Sequence, residues 1–134
     1  MYLLDTMVLS ELRKRDRHPS VVRWLRGKSA DLFFLSAVTI GEIERGITRQ
    51  RGKDPIFVEA LESWLDRLVQ TYEDRILPVD TSIARRWGCL SGRLGNEGAD
   101  LLIAATALEH KLIVVTRNVR HFEPTGVPVI DPFE

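Results

Sequence analysis

The sequence predicts an α/β fold of three layers, a central parallel sheet flanked by helices. Three observations predict it. Short apolar runs alternate along the chain with longer segments of helical periodicity, as in successive strand–helix units. The runs are apolar at every position, not at alternate ones, which suits strands covered on both faces. The 134 residues contain no internal repeat, no low-complexity tract and no Pro/Gly-rich linker, so a single domain over 1–134 is expected.

Each element has its own signal. Met1–Leu4 is an apolar run that stops at Asp5 and reads as a first strand. Thr6–Arg15 follows as a helix, with Leu9 and Leu12 in register. Pro19–Arg26 opens with a proline suited to a first turn, and Val21, Val22 and Leu25 share a face. Leu32–Leu35 is a buried strand, and Val38–Arg49 a helix with Ile43 and Ile47 aligned. Pro55–Tyr72 is the clearest amphipathic helix, its face built from Phe57, Leu61, Trp64, Leu65, Leu68 and Tyr72. Ile76–Val79 contains Pro78 and is expected to be short or at an edge. Thr81–Leu94 is helical, and Asp100–His110 is apolar nearly all round, hence a buried helix. Leu112–Thr116 is a β-branched strand and Val127–Ile130 a short last one. Loops are expected around Gly52–Pro55 and Gly92–Gly98.

Composition narrows the function classes. Hydrophobic residues make up 44% and charged residues 28% of the chain, which excludes disordered, collagenous and disulfide-scaffold classes. The longest apolar stretch, Leu101–Leu108, is interrupted by Thr106 and falls well short of the ~20 residues of a membrane span. No basic-then-apolar leader precedes the first strand, so no signal peptide is expected. The single cysteine, Cys89, has no partner within the chain, favouring a reducing, cytoplasmic location. Nineteen basic residues balance nineteen acidic ones. The basic residues are mostly arginine and cluster at Arg13–Arg17 and Arg45–Lys53, either as a solvated helix surface or as phosphate contacts.

In a parallel sheet, ligands sit beyond the carboxyl ends of the strands. Asp5 closes the first strand, Asn118 and His121 follow the Leu112–Thr116 strand, and Glu42 and Asp100 begin helices that can reach the same rim. Converging carboxylates repel one another unless a cation lies between them, and an oxygen-only set suits Mg²⁺ or Mn²⁺. Such an ion acidifies a bound water and steadies charge on a phosphoryl oxygen. Each acid also has a structural alternative. Asp5 and Asp100 can cap their helices, and Glu42 stands at capping-box spacing from Thr39.

Three blocks carry a resemblance. They are LLDTMVLSEL at Leu3–Leu12, LSAVTIGEIERGI at Leu35–Ile47, and ADLLIAATALEHKLIVVTRNVRHFE at Ala99–Glu123. In order, interval and chain length they resemble the PIN-domain ribonucleases, specifically the VapC/FitB-like toxins of type II toxin–antitoxin systems. The resemblance covers nearly the whole chain. It implies a PIN-like three-layer fold and a Mg²⁺- or Mn²⁺-dependent endoribonuclease that hydrolyses RNA phosphodiester bonds. It makes Asp5, Glu42 and Asp100 the catalytic, metal-binding acids, with Thr6 as the hydroxyl beside the first acid and Asn118 as a polar group at the rim. It also implies a cognate VapB-like antitoxin, a homodimer, and higher hetero-oligomers with the antitoxin. The departure is His121, where many relatives carry a fourth acid; histidine prefers softer ions than Mg²⁺, so the change bears on a second metal position. Arg13, Arg15, Arg45 and Arg49 would serve either RNA phosphates or an acidic antitoxin tail.

The rivals lack their own signatures. A dehalogenase-like phosphatase wants a second acid where Met7 stands. A receiver-like domain using Asp80 wants paired acids after the first strand and a lysine after the last, and has neither. No G-x-G-x-x-G follows the first strand, so a dinucleotide module is not indicated. A degenerate PIN domain, binding RNA or a partner without cutting, stays open because of His121.

Overall fold

The computed structural model describes residues 1–134. Five strands form one sheet in the order β3-β2-β1-β4-β5: β1 (Tyr2–Leu4), β2 (Phe33–Ser36), β3 (Ile76–Leu77), β4 (Ile113–Val115) and β5 (Val129–Ile130). Every pairing is parallel, with Leu3 opposite Phe34 and Val114. The helices are α1 (Thr6–Arg13), α2 (Pro19–Arg26), α3 (Ala37–Gln50), α4 (Pro55–Thr71), α5 (Thr81–Leu94), α6 (Ala99–His110) and α7 (Val119–Phe122).

The all-apolar strands have the expected cause. Successive side chains of a strand point to opposite faces, and here both faces are covered. Leu3 and Val114 join a buried cluster with Ile83, Leu90, Leu101 and Ile103 of α5 and α6. Their chain neighbours Leu4 and Val115 join a second cluster with Val8, Val21, Ile43 and Leu65 of α1 to α4. Helix α6 buries six consecutive-turn residues, including Thr106, whose hydroxyl donates to Leu102 O at 2.8 Å.

Boundaries move where local chemistry intervenes. Helix α1 stops at Arg13, two residues early, because the buried Glu11 accepts from Lys14 Nζ and from the His18 backbone N–H, pulling 14–18 into a return. Strand β2 starts at Phe33 because Ala30–Leu32 coil into a 3₁₀ turn. Strand β3 is two residues at the sheet edge and ends before Pro78, which has no N–H to donate. Helix α5 runs through Gly92 to Leu94 and is closed by Gly95 in the left-handed region (φ 70°), so the expected loop starts later. The four-residue α7 is too short to leave a periodic signal and was not expected.

The strand order places β2 and β3 on one side of β1 and β4 and β5 on the other. The strands stay parallel, but the chain reverses the direction in which it adds them between β1 and β4. A crevice opens at such a point beyond the strand ends, and the residues that leave β1 and β4 there are Asp5 and Thr116.

Candidate functional site

Asp5 is the anchor. Its backbone N–H continues the ladder to Val115 O at 3.0 Å, and its side chain caps α1. Oδ1 accepts from the Thr6 N–H at 2.9 Å, and Oδ2 accepts from the Thr116 hydroxyl at 2.7 Å. Thr116 Oγ1 also accepts from the Asn118 N–H at 3.0 Å, so its own proton is directed at Asp5. Only 4% of Asp5 is exposed. Burial pushes its pKa up; the bonds from Thr116 and Thr6 pull it down in part, and the charges of Asp100 and Glu42 push it up again. The capping role and the site role thus coexist, since a carboxylate has about four lone-pair positions and capping and Thr116 use two.

Glu42 comes from the second turn of α3. Its capping-box alternative fails: the N-cap is Ser36, whose Oγ accepts from the Val38 N–H at 3.0 Å, and Thr39 lies inside the helix with its buried hydroxyl unpartnered. Glu42 Oε1 instead accepts from the Thr6 hydroxyl at 2.8 Å. Thr6 therefore ties two acids together, one through its backbone and one through its side chain.

Asp100 sits in the first turn of α6, where the N-cap is Gly98 and no side chain caps the helix. Its carboxylate Oδ2 lies 2.9 Å from His121 Nδ1 of α7. This edge is open: the Asp100 side chain is 30% exposed and that of His121 61%. Asn118 supplies its backbone N–H to Thr116, but its side-chain amide turns to Met7 Sδ at 2.9 Å and contacts none of the acids.

The three acids share one rim, yet their expected convergence on one point is looser than the sequence implies. No three Asp, Glu, His or Cys side chains stand close enough to ligate one ion together. Glu42 is drawn to Thr6 and Asp100 to His121, each satisfying its carboxylate on a neighbour. The donor chemistry still fits a hard divalent cation. Mg²⁺ takes one or two carboxylates directly and keeps several waters, and Asp5 feels the charge of both other acids.

A groove between α1, α3 and α4 opens beside Thr6 and Glu42. Its walls include Ser10, Arg13, Ile43, Phe57 and Trp64, and the Arg13 guanidinium lies over the Phe57 ring at 5.5 Å. Asp80 is not part of the rim chemistry; its carboxylate caps α5 by accepting from the Ile83 N–H.

Residues 2–126 match the family profile described as PIN domain. The chain belongs to the PIN-domain family. Among curated relatives, it is 32% identical to a VapC ribonuclease of Sinorhizobium fredii, covering 100% of this chain and 99% of that protein. It is also 32% identical to the toxin FitB of Neisseria gonorrhoeae, covering 99% of each. Among solved structures, FitAcB from the same organism superposes with a TM-score of 0.87 at 31% identity, covering 100% of this chain and 99% of that one. The α/β PIN-like fold expected from the three sequence blocks is the fold observed. No helix is long and apolar enough to cross a membrane.

Thr116 also bears on the rim, through its hydroxyl on Asp5. In sequence it ends the five-residue run LIVVT and reads as strand. The available signal was positional: Asp5, Ser36 and Thr116 are the polar residues that end or follow three apolar strands, and all three are buried.

Proposed function

We propose that this PIN domain, spanning 1–134, is a Mg²⁺- or Mn²⁺-dependent endoribonuclease toxin that hydrolyses RNA phosphodiester bonds. The observation that carries the proposal is the buried Asp5 carboxylate at the β1–β4 crevice, aimed by two donors and raised in pKa partly by Asp100 and Glu42. A buried acid crowded by two others is a standing demand for a cation. The similarity to a VapC ribonuclease and to the toxin FitB supports the RNA substrate and the toxin role.

When bound, the divalent ion supplies an acidified water and positive charge for the phosphoryl oxygens. Asp5 would hold that ion through the carboxylate that Thr6 and Thr116 orient. Thr116 and Thr6 fix the carboxylate plane, so little reorganisation is needed at the moment of reaction. Glu42, held through Oε1 by the Thr6 hydroxyl, would stand beside the ion, to ligate it or to accept a proton from the attacking water. Asp100, now paired with His121, would complete the set of acids that hold the ion. A cognate VapB-like antitoxin holds the toxin inactive, and the groove beside Thr6 and Glu42 offers such a partner a path to the acids. We further propose a cytoplasmic homodimer that assembles with the antitoxin into larger hetero-oligomers.

The His121–Asp100 contact favours a second reading. If the imidazole holds Asp100 permanently, the chain is a degenerate PIN domain that binds RNA or its partner without cutting. Purified antitoxin-free protein, incubated with total RNA in Mn²⁺, in Mg²⁺ and in EDTA, decides between them. The nuclease gives discrete fragments that require metal and disappear in Asp5→Asn. Intact RNA from a folded protein with either ion supports the binding-only function.

A further inference from the structure

We propose that Arg117 is the phosphate-binding residue that seats the RNA strand beside the acids, and that Phe133 is the platform that holds it there. The inference rests on the nuclease function above. Arg117 directly follows Thr116, whose hydroxyl fixes Asp5, and its guanidinium carbon lies 4.5 Å from the Phe133 ring centroid. Arg117 is exposed and takes part in none of the four ion pairs of the chain. An acidic partner would occupy the N–H donors of the guanidinium. Stacking on a ring orders the guanidinium through its face and leaves the in-plane N–H donors free for a phosphate.

Phe133 is itself held. Its backbone N–H donates to Asp131 Oδ1 at 2.9 Å, and its ring packs edge-on against His18 at 5.3 Å. It belongs to the flank of the core cluster under α1 and α2. The segment after β5 thus acts as a strap that carries an aromatic ring to the carboxyl end of the sheet. A cation fixed one residue from the strut of Asp5 offsets the repulsion between an acidic rim and an incoming polyanion. Contacts of this kind set the register of a nucleic acid without reading its sequence.

Lys28 provides the comparison within the same chain. It also lies over rings, 4.5 Å from Trp24 and 5.7 Å from Tyr2, but Tyr2 begins β1 and so lies at the opposite end of the strand from Asp5. Equal charge and equal stacking there should do nothing for RNA.

The test uses a short fluorescent single-stranded RNA and the Asp5→Asn protein in EDTA, so that binding is read without cleavage. Adding Arg117→Ala should weaken binding about tenfold and reduce the salt dependence by about one ion. Arg117→Lys should recover part of the affinity. Phe133→Leu, which keeps apolar burial and removes the ring, should weaken binding about threefold, and Phe133→Trp should restore it. Lys28→Ala should match the parent. Melting curves for each variant separate loss of contact from loss of fold. Unchanged RNA affinity in Arg117→Ala overturns the inference while leaving the nuclease intact. Loss of antitoxin binding with RNA binding retained overturns it in favour of a protein contact. Absence of RNA binding by the parent, together with absence of cleavage by the wild type in Mg²⁺ or Mn²⁺, overturns the nuclease function and this inference together.

Discussion

Asp5 and Asp100 face the same rim in opposite circumstances. Asp5 is buried, fixed by Thr6 and Thr116 and pushed toward its protonated form. Asp100 is partly exposed and held by one contact to a more exposed histidine. One side of the rim is set by the fold, and the other by a contact between a partly exposed and an exposed side chain. Asp5 is placed by β1, β4 and the start of α1, so its position follows from the core. Asp100 has a helix beneath it but chooses its partner, and His121 is the partner at hand.

Asp5→Asn breaks the comparison most severely. The amide keeps an acceptor for the Thr6 N–H and offers a donor to Thr116. RNA cleavage should fall by at least about a hundredfold, because the ion loses its buried anchor. Stability should move the other way. The folded-state pKa of Asp5 lies above its unfolded value, so the native state binds the proton more tightly. The fold therefore gains stability as pH falls through the folded pKa and loses it as pH rises through that range. At neutral pH without metal, Asp5→Asn should melt above the wild type, and its melting temperature should lack the rise that Asp5 protonation gives the wild type on acidification.

Thr116→Val keeps the shape and removes the hydroxyl. It leaves the buried Asp5 Oδ2 and the Asn118 N–H each short of a partner, at a cost of about 1–3 kcal/mol. Because the Thr116 bond lowers the Asp5 pKa, its loss should move the acidic limb of the pH–rate profile upward. Cleavage should fall by about tenfold to a hundredfold, as for other groups that orient a metal ligand. An unchanged profile would mean that Thr116 does not govern Asp5.

His121→Asp sharpens the contrast with the smallest effect. It exchanges a neighbour that can pair with Asp100 for one that repels it. Without metal the variant should be slightly less stable; with Mg²⁺ it should bind the ion about tenfold more tightly, measured by titration calorimetry. Equal affinity in both proteins would show that the ion never reaches the Asp100 edge.

The buried half was the legible half. Strands that are apolar on both faces must stop abruptly where they leave the helical layers, so Asp5 stood out after Met1–Leu4. Glu42 was ambiguous because Thr39–Glu42 copies a capping spacing; only the helix start at Ser36 separates the two meanings. Thr116 was not legible as a functional residue because threonine is an ordinary strand former. The link between Arg117 and Phe133 was invisible for a different reason. The two residues are far apart in sequence and meet only because β4 and β5 pair. Helix α7 brings His121 to Asp100, yet at four residues it is shorter than any periodicity can detect.

The proposed chemistry requires that Asp5 anchor a divalent cation at the β1–β4 crevice. Thermal melting of the antitoxin-free wild type and of Asp5→Asn, each with EDTA and with saturating Mg²⁺, tests it most directly. Mg²⁺ should raise the wild-type melting temperature, by the equivalent of about 2.7 kcal/mol at a hundredfold excess over its dissociation constant, and leave Asp5→Asn unmoved. Equal shifts in the two proteins, or none in either, would contradict it.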